Sequence, residues 1–401
     1  MSDKVSSPIP SYPHQPLEIH PDLADMLVNI QGGHVTGNQA CEHFETLLKA
    51  ALHLEFATIP IYLSAAFSLT SAKNDPIKKL IIRIAKEEMM HMTVVANLMN
   101  AIGMSPNIID AVPKTFPHTL DMLSEPLEIN LESFSCDLVK NVFMRIEAPE
   151  TNHDYPINMS FAMQSDAAQS EKVVSKPKTI GEFYKGVINI INSDSIPNLF
   201  EKAEKNAYKQ IKIVKGDMKF KDIGYKKGCP KSNFPLKDGF DLEIKDKESA
   251  VRYLEWVIGQ GEGASTDNPI DSEGLPGHYY RFESIIKEKY LTDEPYQGSK
   301  YSYSGSKLDF DPCGKVDFVK NVKAENYEGD VRIYMDRFNK QYTSMVNNLQ
   351  KAFNCENSHD KDKAYNYAVD DMNGMRVAAV NIVKEAAKTK IGIPFEYNQH
   401  G

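Results

Sequence analysis

The chain has 401 residues, 41% hydrophobic and 25% charged, an ordinary globular composition long enough for one large domain or two smaller ones. Its 46 Lys plus Arg against 55 Asp plus Glu give a net charge of −9, which argues against a phosphate-binding surface and against a nucleic-acid partner. The five cysteines, Cys41, Cys136, Cys229, Cys313 and Cys355, are odd in number, far apart and without a CxxC, so neither a disulfide framework nor a zinc knuckle is indicated and a reducing cytoplasm is expected.

The N-terminus, "MSDKVSSPIPSYPHQPLEIH", is rich in Pro and Ser and lacks the apolar core of a signal peptide, so residues 1–34 are expected to form a flexible or surface-draped arm. No uncharged apolar run has the length of a membrane span, and no membrane partner is expected. Residues 38–69 then carry Phe44, Leu48, Leu52, Ile59, Leu63 and Ala66 at helical spacing, with Pro60 as the expected kink. "NDPIKKLIIRIAKEEMMHMTVVANLMNAIG" predicts a second helix, capped by Asn74 or Asp75, with Pro76 in the first turn and Gly103 as its stop. Residues 104–176 are broken by six prolines and hold alternating runs such as "LEINLESF", predicting an extended insertion with short strands.

A Thr-x-x-Glu capping box, Thr179 to Glu182, opens a third helix with Phe183, Val187 and Ile190 or Ile191 on its apolar face. After a Lys- and Gly-rich connection (209–245), Asp246 caps a fourth helix, "DKESAVRYLEWVIGQGEG", and residues 277–290 continue or succeed it. Residues 291–327 look irregular, and two more helical patterns, 330–353 and 361–388, close the chain. These elements define a mainly α architecture: a helical bundle over residues 35–290, short-strand and irregular insertions, and two additional C-terminal helices over 291–401. Those last helices either cap the bundle or pair across a homodimer.

Charge sits where the pattern calls for burial. In the second helix Ile77, Ile81, Ile84, Val95, Leu98 and Ile102 form one stripe, and Glu88 and His91 lie on it. Glu87 lies about 100° round the helix and is expected at the solvated rim. In the first helix Glu55 interrupts the row Leu48, Leu52, Ile59, Tyr62, Ala66. An unpaired buried charge is very costly, whereas a lone Glu facing a Glu-x-x-His makes half of a di-metal carboxylate centre, because residues three apart share a face and can grip one cation. The competing reading is a buried salt bridge to Arg83, Lys86 or another lysine. For the second half, Glu182 is either a ligand or only the capping-box acid, and Glu262 ends the fourth helix with no His three residues on. The nearest downstream histidine, His278, is either its separated partner or a helix-start residue.

The blocks "LHLEFATIPIYL", "IAKEEMMHMTVVANLMNAIG", "TIGEFY", "YLEWVIGQGEG" and "HYYRFESI", in that order, resemble the ferritin-like domain found in the iminophenyl-pyruvate dimer synthase of violacein assembly and in related stand-alone proteins. The resemblance spans roughly residues 35–290. It implies a ferritin-like four-helix bundle with metal ligands at Glu55, Glu88, His91, Glu182, Glu262 and His278. It also implies two divalent ions, with iron expected and manganese or copper as alternatives, and dioxygen as co-substrate. The expected activity is oxidation of a small, amino-acid-derived imine in specialised metabolism. The alternatives are iron handling without an organic substrate, and a metal-free helical scaffold. Tyr62 is a candidate donor or redox neighbour, against plain packing. Arg281 is a candidate for binding a substrate carboxylate, against a structural pair with Glu262 or Glu283.

Overall fold

The computed structural model describes residues 7–8, 19–120, 122–123, 127–149, 179–193, 195–212, 241–261, 269–271, 274–294 and 300–398. The segment expected as a flexible or surface-draped arm is partly built in. Ser7–Pro8 (β1) pairs antiparallel with Ser302–Tyr303, and Pro21–Gln31 forms helix α1. Pro21 suits the first helical position because its missing amide would have no partner there, and the apolar spacing Ala24, Leu27, Ile30 buries one face.

Helices α2 (Gly37–Ser68) and α3 (Asp75–Ala101) form the first pair of the bundle. α2 continues helical through Pro60. It is long and apolar enough to cross a membrane, but most of that apolar window is buried inside the protein, as for a core helix. α3 starts with Pro76 in its first turn and stops at Gly103, whose φ of +85° is a conformation that a side chain would disfavour. Helices α5 (Ile180–Asn192) and α6 (Lys247–Gly261) form the second pair. Thr179 Oγ1 accepts the Glu182 amide, and Ser249 and Asp246 cap α6 reciprocally. α1 crosses α5 at Gly186, where an added Cβ would come within 2.9 Å of Leu27 and where Gln31 donates to the Gly186 carbonyl.

Among the described residues, the insertion after α3 is less extended than its prolines suggest. It holds one short antiparallel pair, His118–Thr119 (β2) with Glu128–Ile129 (β3). It then turns helical over residues 136–146 (α4), made of Cys136–Leu138, a π-turn Val139–Phe143 and Met144–Ile146. Ser135 caps it by accepting the Leu138 amide, and Leu138, Val139, Phe143 and Ile146 are buried. The short helix α7 (His278–Ile286) packs against α4, α3 and α6, so a further helical layer lies on the bundle beside the lower part of α3.

The C-terminal helices α8 (Gly329–Phe353) and α9 (Ser358–Ala386) make an antiparallel hairpin that packs on α2 and α3. Asn100 Nδ2 donates to the Phe353 carbonyl (2.9 Å) and Lys361 Nζ to the Gln210 carbonyl (3.1 Å), tying the hairpin's turn to the bundle. Each large apolar side chain sealed between these layers contributes about 1.5–3 kcal/mol.

Candidate metal centre

The carboxylates of Glu55, Glu88 and Glu147 and the imidazoles of His91 and His278 converge at the middle of the bundle, all buried. Glu55 comes from α2 and Glu88 with His91 from α3. Glu147 follows the last turn of α4, and His278 opens α7. His91 Nδ1 lies 3.4 Å from Glu55 Oε2 and 3.4 Å from Glu88 Oε1. His278 Nδ1 lies 2.9 Å from Glu88 Oε1 and 3.4 Å from Glu147 Oε2. The donors therefore fall into two groups, His91 with Glu55 and His278 with Glu147, which share Glu88. One donor atom each from Glu88, His91 and His278 lies within 4.8 Å of the other two.

Both histidines are held from behind. Gln260 Oε1 lies 3.1 Å from His91 Nε2, and Glu87 Oε2 lies 3.0 Å from His278 Nε2. With the proton on Nε2, each ring turns its Nδ1 lone pair inward, the arrangement in which outer hydrogen bonds orient metal-binding imidazoles. Trp256 packs edge-on to the His91 ring at 5.3 Å. Behind the carboxylates Tyr62 donates to Glu147 Oε1 (2.6 Å), while on the cavity wall Tyr184 donates to Glu55 Oε1 (2.5 Å) and Thr58 Oγ1 to Glu88 Oε2 (3.1 Å).

The electrostatics are those of a site short of positive charge. Burial, then the neighbouring Glu147, push the Glu88 carboxyl up to about 7. Burial opposes charge on both histidines, yet the surrounding carboxylates outweigh it. Glu55 and Glu88 raise His91, and Glu147, Glu87 and Glu88 raise His278 well above its ordinary value. Burial and Glu147 keep the Tyr62 phenol protonated. Glu88 Oε1 and His278 Nδ1 lie 2.9 Å apart, buried, and a proton on the imidazole would join them as an ion pair. A metal ion in place of that proton would satisfy both atoms, and the mixed Glu and His donor set suits iron, manganese or copper. The residues present thus fit a di-metal centre.

The surrounding cavity has a volume of about 30 Å³. Leu54, Ile146, Val257 and Ile258 give it an apolar wall beside the carboxylates, and Gly181 and Gly261 also border it. A Cβ added at Gly261 would lie 3.5 Å from Glu147 Oε2.

Of the six sequence candidates for metal, the structure brings Glu55, Glu88, His91 and His278 together. Glu182 stays at the start of α5, half-exposed and off the cavity wall, in the turn that Thr179 caps. Position 182 is about 200° from Tyr184 round the helix, so both cannot face the centre. Glu262 lies outside the described residues. Glu147 was missed. Its signal was a charge ending the apolar run "VFMRIE", in a segment read as extended.

Two further expectations are corrected. Glu87, expected at the rim, is fully buried, because α7 packs on the second face of α3. It pairs with Arg83 Nε (2.8 Å), His278 and Arg281, and these cations outweigh burial to hold its carboxyl well below the usual range. Arg281, expected at a substrate carboxylate or beside Glu262 or Glu283, is itself fully buried, and its expected pairing with Glu262 falls outside the described residues. It binds Glu87, the Pro276 carbonyl and, at 3.5 Å, Asp271, and it does not line the cavity. Glu283 is engaged instead by the Tyr303 hydroxyl at 2.5 Å. Tyr62 is both a hydrogen-bond donor and a packed ring, edge-on to Phe143 at 4.6 Å.

No curated protein matches the chain. A crystal structure of a ferritin-like protein from Caulobacter vibrioides aligns over 96% of this chain and 100% of its own, with 16% identity and a TM-score of 0.44. Residues 48–287, more than half of the chain, match the ferritin-like family. That span contains all five converging donors, and the chain belongs to the ferritin-like family.

Proposed function

We propose that this chain is a non-haem di-metal oxidase, with iron as the metal and dioxygen as co-substrate. The observation that carries the reading is the buried approach of Glu88 Oε1 to His278 Nδ1, 2.9 Å apart, at the centre of three carboxylates and two imidazoles. Two ions held there would supply the electrons and open positions that reduction of dioxygen requires.

The protein's own part is positioning and exclusion. Gln260 and Glu87 fix the two imidazoles, and Arg281 with Arg83 fixes Glu87. Tyr62 keeps a proton beside Glu147, where a neutral donor strengthens the hold on a carboxylate. The aliphatic wall keeps bulk water from the reacting atoms. The resemblance to the ferritin-like domain of the violacein-pathway synthase supplies the substrate class, a small amino-acid-derived imine in specialised metabolism.

A second reading, oxidation or storage of iron without an organic substrate, is favoured by the cavity itself. Its volume of about 30 Å³ admits dioxygen or water, against about 300–1,000 Å³ for a usual organic-ligand site. The test is metal analysis of protein purified without chelators, followed by oxygen uptake. Near-stoichiometric iron with uptake accelerated by amino-acid-derived imines supports the oxidase. Uptake driven by ferrous iron alone supports metal handling. A chain that takes up no metal is the scaffold of the third reading, and both metal proposals fall.

A further inference from the structure

We propose that Tyr184 is itself a ligand of the metal centre, binding ferric iron through its phenolate oxygen on the Glu55–His91 side. The proposal rests on the di-metal reading above and adds to it an oxygen donor from α5.

Three observations converge on this residue. First, α5 is the bundle helix whose expected carboxylate, Glu182, does not reach the cavity. Of the α5 residues that do line it, Ile180, Gly181 and Tyr184, Tyr184 alone has a side-chain donor atom. Second, the two tyrosines of the site are not equivalent. Tyr62 donates to Glu147 Oε1 from behind and is absent from the cavity wall, whereas Tyr184 shares that wall with Glu55, Glu88, His91 and Glu147. Third, Glu55 presents Oε2 to His91 Nδ1 (3.4 Å) and Oε1 to the Tyr184 hydroxyl (2.5 Å), so the phenol adjoins the same carboxylate that defines one donor group.

A hard, anionic phenolate suits ferric iron and favours it over ferrous. On binding, the phenol O–H bond is replaced by an O–Fe bond and the proton passes to the solvent. The iron is brought to the ferric state by dissolved dioxygen, so the ligand exchange itself needs no electron. The arrangement also gives the two ions unlike surroundings, one with a phenolate and one without.

The test is optical. Full-length protein loaded with ferrous iron under argon and then exposed to air should develop a visible phenolate-to-iron charge-transfer band. Resonance Raman excitation in that band should enhance tyrosine ring modes, which shift in protein grown on ring-deuterated tyrosine. Tyr184→Phe should bind iron yet lose the band, and Tyr62→Phe should keep it. Wild-type protein that holds ferric iron without a tyrosine-enhanced spectrum overturns the proposal and leaves the di-metal reading standing. A band kept in Tyr184→Phe does the same. Wild-type protein that takes up no iron overturns both. The Raman measurement on the wild type decides the matter even where Tyr184→Phe fails to fold.

Discussion

The carboxylate of Glu87 lies 3.0 Å from His278 Nε2, so a residue adjacent in sequence to Glu88 grips the far side of the same imidazole that Glu88 approaches at Nδ1. The two neighbouring glutamates thereby do different work. Glu88 faces the centre, while Glu87 joins Arg83, Arg281 and His278 in a buried network that fixes one of its donors.

Glu87→Ala is therefore expected to be costly. It leaves the Arg281 guanidinium buried, with Asp271 at 3.5 Å as its remaining carboxylate partner among the described residues. Breaking a buried pair by removing one side costs about 3–5 kcal/mol, to be read as a lower urea midpoint with little change in slope. Loss of the hydrogen bond that orients His278 should also weaken metal binding about 10–100-fold, measured by competition with a chelator. An unchanged affinity would mean that His278 is not a ligand.

Stability of the metal-free protein should depend on pH with opposite signs at these two residues. The folded Glu88 carboxyl titrates at about 7, above its unfolded value of about 4.3. The fold therefore binds the extra proton, and this stabilisation is present at low pH and lost as pH rises through 7. Glu283, also pushed up to about 7 by burial, acts in the same direction. Glu87 is depressed, so its contribution is present above about pH 4.3 and lost on further acidification. Glu88→Gln should flatten part of the decline between pH 5 and pH 8 in thermal melts of apoprotein, and Glu283→Gln another part. Metal affinity should rise over the same interval, since the ligands must be deprotonated.

Phe143 closes the π-turn of α4, fully buried, with its ring centroid 4.6 Å from Tyr62 and 5.2 Å from Phe282. Phe143→Ala should destabilise the fold by about 3–5 kcal/mol. It should also loosen the Tyr62–Glu147 hydrogen bond, so that affinity for the metal on the His278 side falls. A loss of stability with metal affinity untouched would show that the π-turn does not position Glu147.

The parts of the site legible from sequence were those on long helices with an unbroken apolar stripe. Glu55, Glu88 and His91 announced themselves because charge on such a stripe is energetically anomalous, and the helix repeat fixes which neighbours share a face. Glu147 escaped because the π-turn Val139–Phe143 departs from that repeat within a proline-rich segment. Tyr184 escaped because an aromatic on a core face reads as packing. Glu182, open between ligand and cap in the sequence, lies in the capped turn and off the cavity wall, because a helix start can serve as a cap without reaching the centre.

The sequence by itself determined the long helices and the main apolar stripe of each, since these depend on residues three or four apart. Only the tertiary structure decided which helix lies against which face. The packing of α7 on α3 buried Glu87 and gave it Arg281 and His278, and the return of α4 brought Glu147 to the centre. Those contacts join residues separated by 85 positions or more, from Tyr62 with Glu147 to Arg281 with Glu87. No periodicity within one helix carries information over that distance. It is set by how the layers exclude water together.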